Sequence, residues 1–367
     1  MKYYIIAGEA SGDLHGSNLV KALKQVDSNA EFRGWGGDMM EENGTVLVKH
    51  IRDLAFMGFV EVAANISTIL SNLSLCRKDI LDYKPDAVIL IDYPGFNLRI
   101  AEFVHEKGIR TIYYISPQIW AWKKSRVHTI KRVVDKLLVI LPFEKEFYKT
   151  YQVEAEFTGH PLLDALPEKR DAAVSMPNKK AQVALLPGSR KQEIRNVLPV
   201  MLSIIRDFPE AEFTIAGVPS IGDNFYRKFM GNLPVNIIMN ETYELLARSR
   251  AALVTSGTAT LETALMGIPE VVCYKASWLS VAIARKLIKV KYISLVNLIM
   301  DKLVVKELIQ EELNRQTLRG ELNNMLTNNK YRDDMFNGYN ELRKVLGGKG
   351  ASFRAATSIY QFLNNKA

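Results

Sequence analysis

The sequence predicts an α/β protein built from two Rossmann-like, doubly wound domains that face each other across a cleft. Short β-rich runs alternate with helical patterns along most of the 367 residues, and this alternation is typical of parallel sheets covered by helices. The polar stretch at residues 168–180 has no clear periodicity and separates two such series, so we interpret it as a linker. At roughly 150 residues per domain, the length also indicates two domains.

The first series, residues 1–167, is predicted to be the N-terminal domain. Its clearest strand contains the uninterrupted apolar run at residues 87–91, which favours a parallel strand buried on both faces. Further strands of this series are predicted at residues 3–7, 111–115 and 137–141. Helices are predicted at residues 14–25 and 97–107.

The second series, residues 181–350, is predicted to be the C-terminal domain. Its strands are predicted at residues 183–186, 212–216, 236–239, 252–255 and 270–274. The tail from Lys302 onward is predicted to be helical, and its last segment, residues 351–367, is predicted to pack back on the first domain. The sequence leaves open whether that helix stays on its own chain or exchanges between the subunits of a homodimer.

The composition excludes several classes of protein. Hydrophobic residues make up 48% of the chain, and its two cysteines, Cys76 and Cys273, lie far apart. These features exclude a disordered chain, a disulfide scaffold and a cysteine-based zinc site. The longest uncharged stretch, residues 62–76, is shorter than the roughly 20 apolar residues of a membrane span. The first apolar run is too short for a signal peptide, so we expect a cytoplasmic, reducing environment.

The net charge of +8 leaves the partner open at this point. Basic chains commonly bind nucleic acid or an anionic membrane surface. However, 48 basic and 40 acidic residues spread along the chain also fit an ordinary soluble surface. None of the five histidines has metal-ligand spacing, so we expect no metal site.

Two turns in the predicted C-terminal domain are suited to binding phosphate. Ser256, Gly257 and Thr258 follow a strand and open a helix, whose free N–H groups and dipole attract anions. The alternative is an ordinary helix N-cap. Arg190 follows another strand, and its guanidinium fork suits a diphosphate. Together the turns indicate a nucleoside diphosphate group, and neither matches the glycine pattern of an ATPase P-loop or of an NAD-binding turn.

Carboxylates follow two strands of the predicted N-terminal domain. Asp92 stands at the carboxyl end of its strand, where it is a candidate general base for activating a hydroxyl. The alternatives are that Asp92 caps the next helix or pairs with a lysine. The turn after the first strand carries Glu9 and Asp13 together with two glycines.

An apolar segment and a pair of tryptophans predict contact with lipid. The side chains concerned are Met57, Phe59, Ile66, Ile69, Leu70, Leu73, Trp120 and Trp122. Those at 66–73 lie on one helical face, and cations follow both the helix and the tryptophans, as in interfacial segments. The alternatives are a helix that fills the core and a surface for single-stranded nucleic acid, which is less favoured because the cations form no long stripe.

Nine motifs, taken in order, resemble those of the lipid-A-disaccharide synthases, a family of two-domain glycosyltransferases of the GT-B type. They are GEASGD at 8–13, MGFVEV at 57–62, KPD at 84–86 leading to IDYP at 91–94, SPQIWAW at 116–122, LPFE at 141–144, LPGSR at 186–190, SGTATLE at 256–262, SLVNL at 294–298 and ELIQ at 307–310. The set spans nearly the whole chain, and its order makes the resemblance specific.

The resemblance implies a reaction and a set of residues. Such enzymes join UDP-2,3-diacylglucosamine to 2,3-diacylglucosamine 1-phosphate, forming a β-1,6-linked disaccharide and releasing UDP. Asp92 is then the base for the acceptor's 6-hydroxyl, and Arg190 stabilises the departing diphosphate. The implied substrate-binding residues are Glu9, Ser11, Asp13, Ser189, Ser256, Gly257, Thr258, Thr260, Glu262, Asn297, Glu307 and Gln310. The reaction implies no cofactor.

The resemblance also implies a peripheral association with the cytoplasmic side of the inner membrane, and no nucleic acid as partner. The chain departs from the family pattern at Gly95, where relatives often carry an acidic residue. This leaves Asp92 as the single base, and we expect it to face Arg190 across the cleft. The rival hypotheses are a UDP-sugar 2-epimerase or soluble-acceptor transferase of the same architecture, and a non-catalytic protein that binds RNA or anionic lipid.

Overall fold

The computed structural model describes residues 1–54, 66–122, 124–167, 180–276 and 291–365, and the chain divides into two compact units. The first unit comprises Met1–Ala165 together with Leu346–Ala367, and the second comprises Leu166–Val345. Each unit contains one parallel sheet with helices packed against it. This confirms the predicted pair of Rossmann-like α/β domains. Most of the predicted linker lies outside the described residues.

The first unit is organised around a seven-stranded sheet with the order β3-β2-β1-β4-β5-β6-β7, in which every neighbouring pair is parallel. The strands are β1 (Lys2–Ala7), β2 (Glu31–Gly36), β3 (Thr45–His50), β4 (Ala87–Ile91), β5 (Arg110–Tyr114), β6 (Lys136–Val139) and β7 (Glu156–Phe157). Residues of β4 alternate between two buried clusters, with Val88 and Leu90 in one and Ile89 and Ile91 in the other. The strand is therefore covered on both faces, as its apolar run predicts.

Helices cover both faces of this first sheet. The helices of the described residues before residue 166 are α1 (Ala10–Val26), α2 (Asp38–Glu42), α3 (Ile66–Tyr83), α4 (Pro94–Glu106), α5 (Ile119–Trp122), α6 (Arg126–Val133), α7 (Pro142–Lys149) and α8 (Leu162–Ala165). Residues of α3, α4 and α6 bury their apolar side chains in one cluster, and residues of α1 bury theirs in the other.

The second unit contains a six-stranded parallel sheet with the order β10-β9-β8-β11-β12-β13. Its strands are β8 (Ala181–Leu186), β9 (Ala211–Gly217), β10 (Val235–Met239), β11 (Ala251–Thr255), β12 (Glu270–Tyr274) and β13 (Lys306–Ile309). The helices in the described part of this unit are α9 (Lys191–Leu202), α10 (Asp223–Met230), α11 (Thr242–Arg248), α12 (Thr258–Leu265), α13 (Leu295–Met300), α14 (Arg315–Thr327) and α15 (Asn329–Val345).

The last helix, α16 (Ala351–Asn364), belongs to the first unit, where it packs on α1. Its buried face contributes Ala355 and Ile359 to the cluster that also contains Leu19. The carboxylate of Asp164 accepts hydrogen bonds from the N–H groups of Gly350 (2.6 Å) and Ser352 (2.7 Å). This satisfies N–H groups that a helix leaves open at its first turn, and it attaches the helix to the first unit of its own chain.

The sequence patterns missed four strands and placed the starts of α1 and α4 too late, since α4 begins at Pro94 rather than at residue 97. The strands β2, β3, β7 and β13 were not predicted, and the expectation of a purely helical tail after Lys302 is wrong at Lys306–Ile309. This short edge strand has little alternation of its own and forms by pairing with β12. Helix α1 begins at Ala10 rather than at residue 14, so Ser11 and Asp13 lie in its first turn. Among the described residues, no helix combines the length and apolarity needed to span a bilayer.

Candidate active site

In each sheet the residues singled out by their chemistry follow the two central strands where the strand order reverses. The order reverses between β1 and β4 in the first unit, and between β8 and β11 in the second. Glu9 follows β1 and Asp92 follows β4, whereas Arg190 follows β8 and Ser256 follows β11. In doubly wound sheets, ligands bind outside the carboxyl ends of the strands at this switch point. Both units therefore carry their candidate residues where the topology favours a ligand.

Asp92 is a partly buried carboxylate with altered acidity. Burial raises its pKa to about 6, and the nearby negative charge of Glu9 adds to the rise. A base is more effective when its pKa lies nearer the working pH. The helix that follows has Tyr93, not Asp92, as its N-cap, and none of the ion pairs found among the described residues includes Asp92. The geometry thus disfavours the capping and lysine-pair alternatives.

The backbone around Asp92 is strained. Asp92 (φ +43°), Tyr93 (φ +47°) and the β-branched Ile115 (φ +62°) all adopt left-handed conformations, each of which costs a non-glycine residue about 1–3 kcal/mol. The N–H of Asp92 donates to the carbonyl of Ile115 (3.2 Å), so two of these residues meet at the ends of neighbouring strands. The Tyr93 ring packs directly against Gly8, where a larger residue would clash, because a Cβ there would lie 2.4 Å from the ring.

The three predicted binding residues that follow β1 differ in their exposure to solvent. Glu9 and Ser11 are exposed. Asp13 is buried, and its carboxylate accepts hydrogen bonds from the N–H groups of Gly37 (2.7 Å), Met40 (3.0 Å) and Met39 (3.1 Å). These bonds cap the start of α2. Asp13 therefore shapes the site through α2, while Glu9 and Ser11 are free to meet a ligand.

Glu144 belongs to the candidate site of the first unit, although the sequence patterns did not indicate a role for it. It is fully buried, its pKa is raised to about 7 by burial, and the charge of Asp92 contributes to the rise. One oxygen accepts from the N–H of Leu141 (3.0 Å), capping α7, and the other accepts from Trp120 Nε1 (3.2 Å). Trp120 is half-buried, with its ring edge-on to Phe143. The LPFE motif at residues 141–144 is the sequence signal for Glu144, because its carboxylate caps α7. The other partner of Glu144, Trp120, is remote in sequence, so the motif did not indicate their contact.

The turn before α12 is open for an anion. The N-cap is Gly257, and no side chain in the described part of the chain caps the helix, so its first N–H groups remain donors for a ligand. Gly257 has an extended backbone, and no atom of the described residues lies within 4 Å of the position that a Cβ would occupy there. The protein itself therefore leaves room above this glycine. Thr258 is exposed, whereas the Thr260 hydroxyl donates to the Gly257 carbonyl (2.8 Å).

Arg190 stands at the N-cap of α9 with its side chain 67% exposed. Its Nη1 donates to Glu193 (3.1 Å), and the other oxygen of Glu193 accepts from the N–H groups of Ser189 (3.2 Å) and Arg190 (3.3 Å). An exposed pair of this kind contributes at most about 1 kcal/mol. The guanidinium can therefore turn to an anionic ligand at little cost.

A buried polar network supports the turn before α12. Asn297 is fully buried, and its amide group donates to Glu307 (2.9 Å) and to the Val305 carbonyl (2.8 Å). Glu307 accepts from the N–H groups of Ile293 (3.1 Å) and Ser294 (2.9 Å). The Ile293 carbonyl in turn accepts from the Ser256 hydroxyl (2.8 Å). The structure thus assigns Asn297, Glu307 and the Ser256 hydroxyl to internal hydrogen bonds.

Glu262 and Gln310 are also engaged within the second unit. Glu262 accepts from the Tyr243 hydroxyl (2.8 Å), and burial raises the pKa of Glu262. Gln310 exchanges two hydrogen bonds with the backbone of Ala276, as donor (3.1 Å) and as acceptor (2.8 Å). Among the described residues, no group of three or more His, Cys, Asp or Glu side chains is arranged to hold a metal ion.

Helix α3 presents only part of the predicted apolar set to solvent. Leu70 is 60% exposed, whereas Leu73 is buried in the core and Ile69 packs against that core. The expectation that Leu73 contacts lipid is therefore wrong, because its position on the helix directs its side chain into the core against the sheet. Leu75 and Leu81 are exposed instead. Met57, Phe59 and the side chains of Ile66 and Trp122 lie outside the described residues.

Comparisons with known proteins bear on the whole chain. The model of the lipid-A-disaccharide synthetase family matches residues 3–351. The lipid-A-disaccharide synthase of Syntrophus aciditrophicus is 41% identical, with 96% of this chain and 95% of that protein covered. The corresponding enzyme of Trichlorobacter lovleyi is 38% identical at the same coverage.

Solved structures show the same fold at low identity. A putative UDP-N-acetylglucosamine 2-epimerase from Listeria monocytogenes has a TM-score of 0.67 at 14% identity, covering 100% of this chain and 97% of that one. The kitacinnamycin glycosyltransferase has a TM-score of 0.65 at 13% identity, with 98% of each chain covered. These likenesses concern the architecture alone, which is that of GT-B glycosyltransferases and UDP-sugar 2-epimerases.

Proposed function

The chain belongs to the lipid-A-disaccharide synthase family of glycosyltransferases, and from that premise we propose that it joins UDP-2,3-diacylglucosamine to 2,3-diacylglucosamine 1-phosphate. The products are the β-1,6-linked disaccharide 1-phosphate and UDP. The observation that carries the proposal is Asp92, a partly buried carboxylate with a pKa of about 6 at the switch point of the first sheet. A transferase that activates a hydroxyl needs a base of this kind.

Asp92 acts as the general base in this reaction. The acceptor's 6-hydroxyl attacks the anomeric carbon of the donor sugar, and Asp92 takes the hydroxyl proton. The new C–O bond forms as the bond to the diphosphate breaks, and its electron pair leaves with UDP. Attack opposite to the leaving group inverts the anomeric centre. Holding both sugars in line supplies much of the rate enhancement.

The second unit binds UDP and stabilises its developing charge. The open N-terminus of α12 offers backbone donors at Gly257 and Thr258, and such helix ends favour phosphate. Arg190 adds an exposed, reorientable guanidinium, which suits a diphosphate. Asn297 and Glu307 contribute by holding residues 293–294 under the turn. The reaction requires that Asp92 and Arg190 engage one donor–acceptor pair during turnover.

Helix α3 brings the enzyme to the anionic inner-membrane surface that holds its acylated substrates. Leu70, Leu75 and Leu81 are exposed on this helix, and the cations Arg77 and Lys78 are exposed beside them. Exposed leucines next to basic side chains favour insertion among anionic head groups. This contact accounts for a peripheral membrane association.

The direct test supplies the purified chain with the two acylated substrates and measures the products by mass spectrometry, together with released UDP. The expected result is a disaccharide 1-phosphate that forms only when both substrates are present. Asp92→Asn serves as the matched inactive control. Equal activity with an unacylated soluble acceptor, or epimerised UDP-sugar in the absence of acceptor, would replace the proposed function by one of its rivals.

A further inference from the structure

Two buried side chains converge on the carbonyl of Asp92. The Tyr113 hydroxyl donates to this oxygen at 2.6 Å, and Asn97 Nδ2 donates to it at 2.8 Å. The same amide group of Asn97 also donates to the carbonyl of Ile91 (3.1 Å). Tyr113 and Asn97 are both fully buried, so these bonds form away from competing water.

The two donors come from different elements around the turn. Tyr113 lies on β5, the strand next to β4, and Asn97 lies in the first turns of α4. The N–H of Asp92 is held as well, by the carbonyl of Ile115 just beyond β5. Hydrogen bonds therefore hold both peptide groups of Asp92, and these groups set the direction in which its Cα–Cβ bond points.

The strain in the turn makes such a restraint necessary. Asp92 and Tyr93 are consecutive non-glycine residues with left-handed φ angles, a conformation that persists only where the surroundings over-determine it. If the carbonyl of Asp92 were released, the peptide would relax toward the commoner right-handed or extended regions. That rotation would turn the carboxylate away from its present position.

We propose that Tyr113 and Asn97 are positioning residues for the transfer reaction, holding the strained Asp92–Tyr93 turn so that the carboxylate of Asp92 meets the acceptor hydroxyl. The inference rests on the proposed role of Asp92 as the base. Neither side chain contacts a substrate in this account, and both act through the Asp92 backbone. A displacement of about 1 Å in a reacting group is enough to slow catalysis by roughly a hundredfold.

The test uses two near-isosteric variants, Tyr113→Phe and Asn97→Leu, each of which removes the donor and largely retains the side-chain shape. Each variant is expected to lower kcat at least tenfold, while the KM of both substrates and the affinity for UDP change less than twofold. The acidic limb of the kcat–pH profile should move to lower pH, because a relaxed Asp92 is less buried and its pKa falls toward the ordinary value near 4.

Tyr114→Phe is the matched control. Tyr114 is the next residue on the same strand and is equally buried, but it faces the opposite cluster, toward α1 and α16. This variant should keep kcat within twofold. A loss of the same size in Tyr114→Phe would indicate a general effect of removing a buried hydroxyl and would overturn the inference.

A double-mutant cycle with Asp92→Asn separates positioning from folding. In that background, Tyr113→Phe should cause no further loss of turnover, since the base is already absent. An undiminished further loss, or near-normal kcat in both Tyr113→Phe and Asn97→Leu, would contradict the role. Failure of the proposed function can be distinguished from failure of this inference, because the unmodified chain would then form no disaccharide from the two acylated substrates.

Discussion

The switch points of the two sheets differ in the groups that they present to a ligand. In the first unit, the proposed reactive group is one side chain, Asp92, which stands on a strained, partly buried turn. In the second unit, the ligand-facing groups are the open backbone before α12 and the exposed Arg190. Proton transfer needs a group of shifted pKa at a fixed place, whereas a diphosphate needs accessible positive character. The same sheet topology therefore suits both the proposed base on its strained turn and the proposed anion site.

The largest effect is expected for the proposed base of the first unit. Asp92→Asn should lower turnover by at least roughly 10²-fold, the scale of a lost general base, because the amide cannot accept the hydroxyl proton. Binding of UDP should be unchanged. Steady-state rates and UDP calorimetry measure the two quantities. Near-normal turnover would remove Asp92 from the role of base.

The proposed anion site of the second unit is tested by Arg190→Ala. We expect the affinity for UDP to fall about 10- to 100-fold, which corresponds to the roughly 1.5–3 kcal/mol of a hydrogen bond to a charged group. Arg195→Ala is the control, because Arg195 is an exposed cation on the same helix that stacks over Phe225. Calorimetric titration with UDP gives both affinities. If the two variants lose affinity equally, the effect is one of general charge and not of the Arg190 fork.

The lipid contact of the first unit is expected to give a smaller, roughly tenfold effect. Leu70→Glu combined with Leu81→Glu replaces exposed apolar side chains by charges that anionic head groups repel. Co-sedimentation with vesicles containing phosphatidylglycerol measures the association, and circular dichroism checks the fold. Leu303→Glu is the matched control, since Leu303 is 62% exposed on the second unit. Equal loss in the control, or none in the double variant, would speak against α3 as the contact.

A buried carboxylate of the second unit contrasts with Asp92. Glu270 is fully buried, and within the described residues neither of its oxygens has a hydrogen-bond partner; burial raises its pKa well above the ordinary value. The folded state therefore keeps a proton that the unfolded state releases, so stability falls as pH rises above the unfolded pKa, by up to about 1.4 kcal/mol per pH unit.

Glu270→Gln should flatten this dependence, because the amide does not ionise. Urea unfolding between pH 5 and 8 measures it, and the variant should gain relative stability as the pH increases. Identical pH profiles for the two proteins would show that Glu270 finds a partner when ionised. Turnover should be unaffected, since Glu270 begins β12 and none of the proposed steps uses it.

Much of the architecture, and the position of several candidate site residues at the ends of strands, could be predicted from local sequence. The buried run at residues 87–91 indicated a central parallel strand, and the SGTATLE turn indicated an anion site whose helix start is indeed open. The partners of Asp13, Asn297 and Glu307 could not be predicted, because they depend on backbone groups brought close by folding. The apposition of Asp92 and Arg190 stays a prediction.

The sequence by itself determined the two parallel sheets, the turns that carry polar groups at their carboxyl ends, and the family to which the chain belongs. These follow from periodicity and from short motifs, which are local. Only the tertiary structure decided that Leu73 faces the core and Leu70 faces solvent, and that residues 306–309 form an edge strand. It alone decided that Asp92 is held in a left-handed turn by Tyr113 and Asn97. Burial, hydrogen-bond partners and backbone strain depend on residues that are distant along the chain and become neighbours only when it folds.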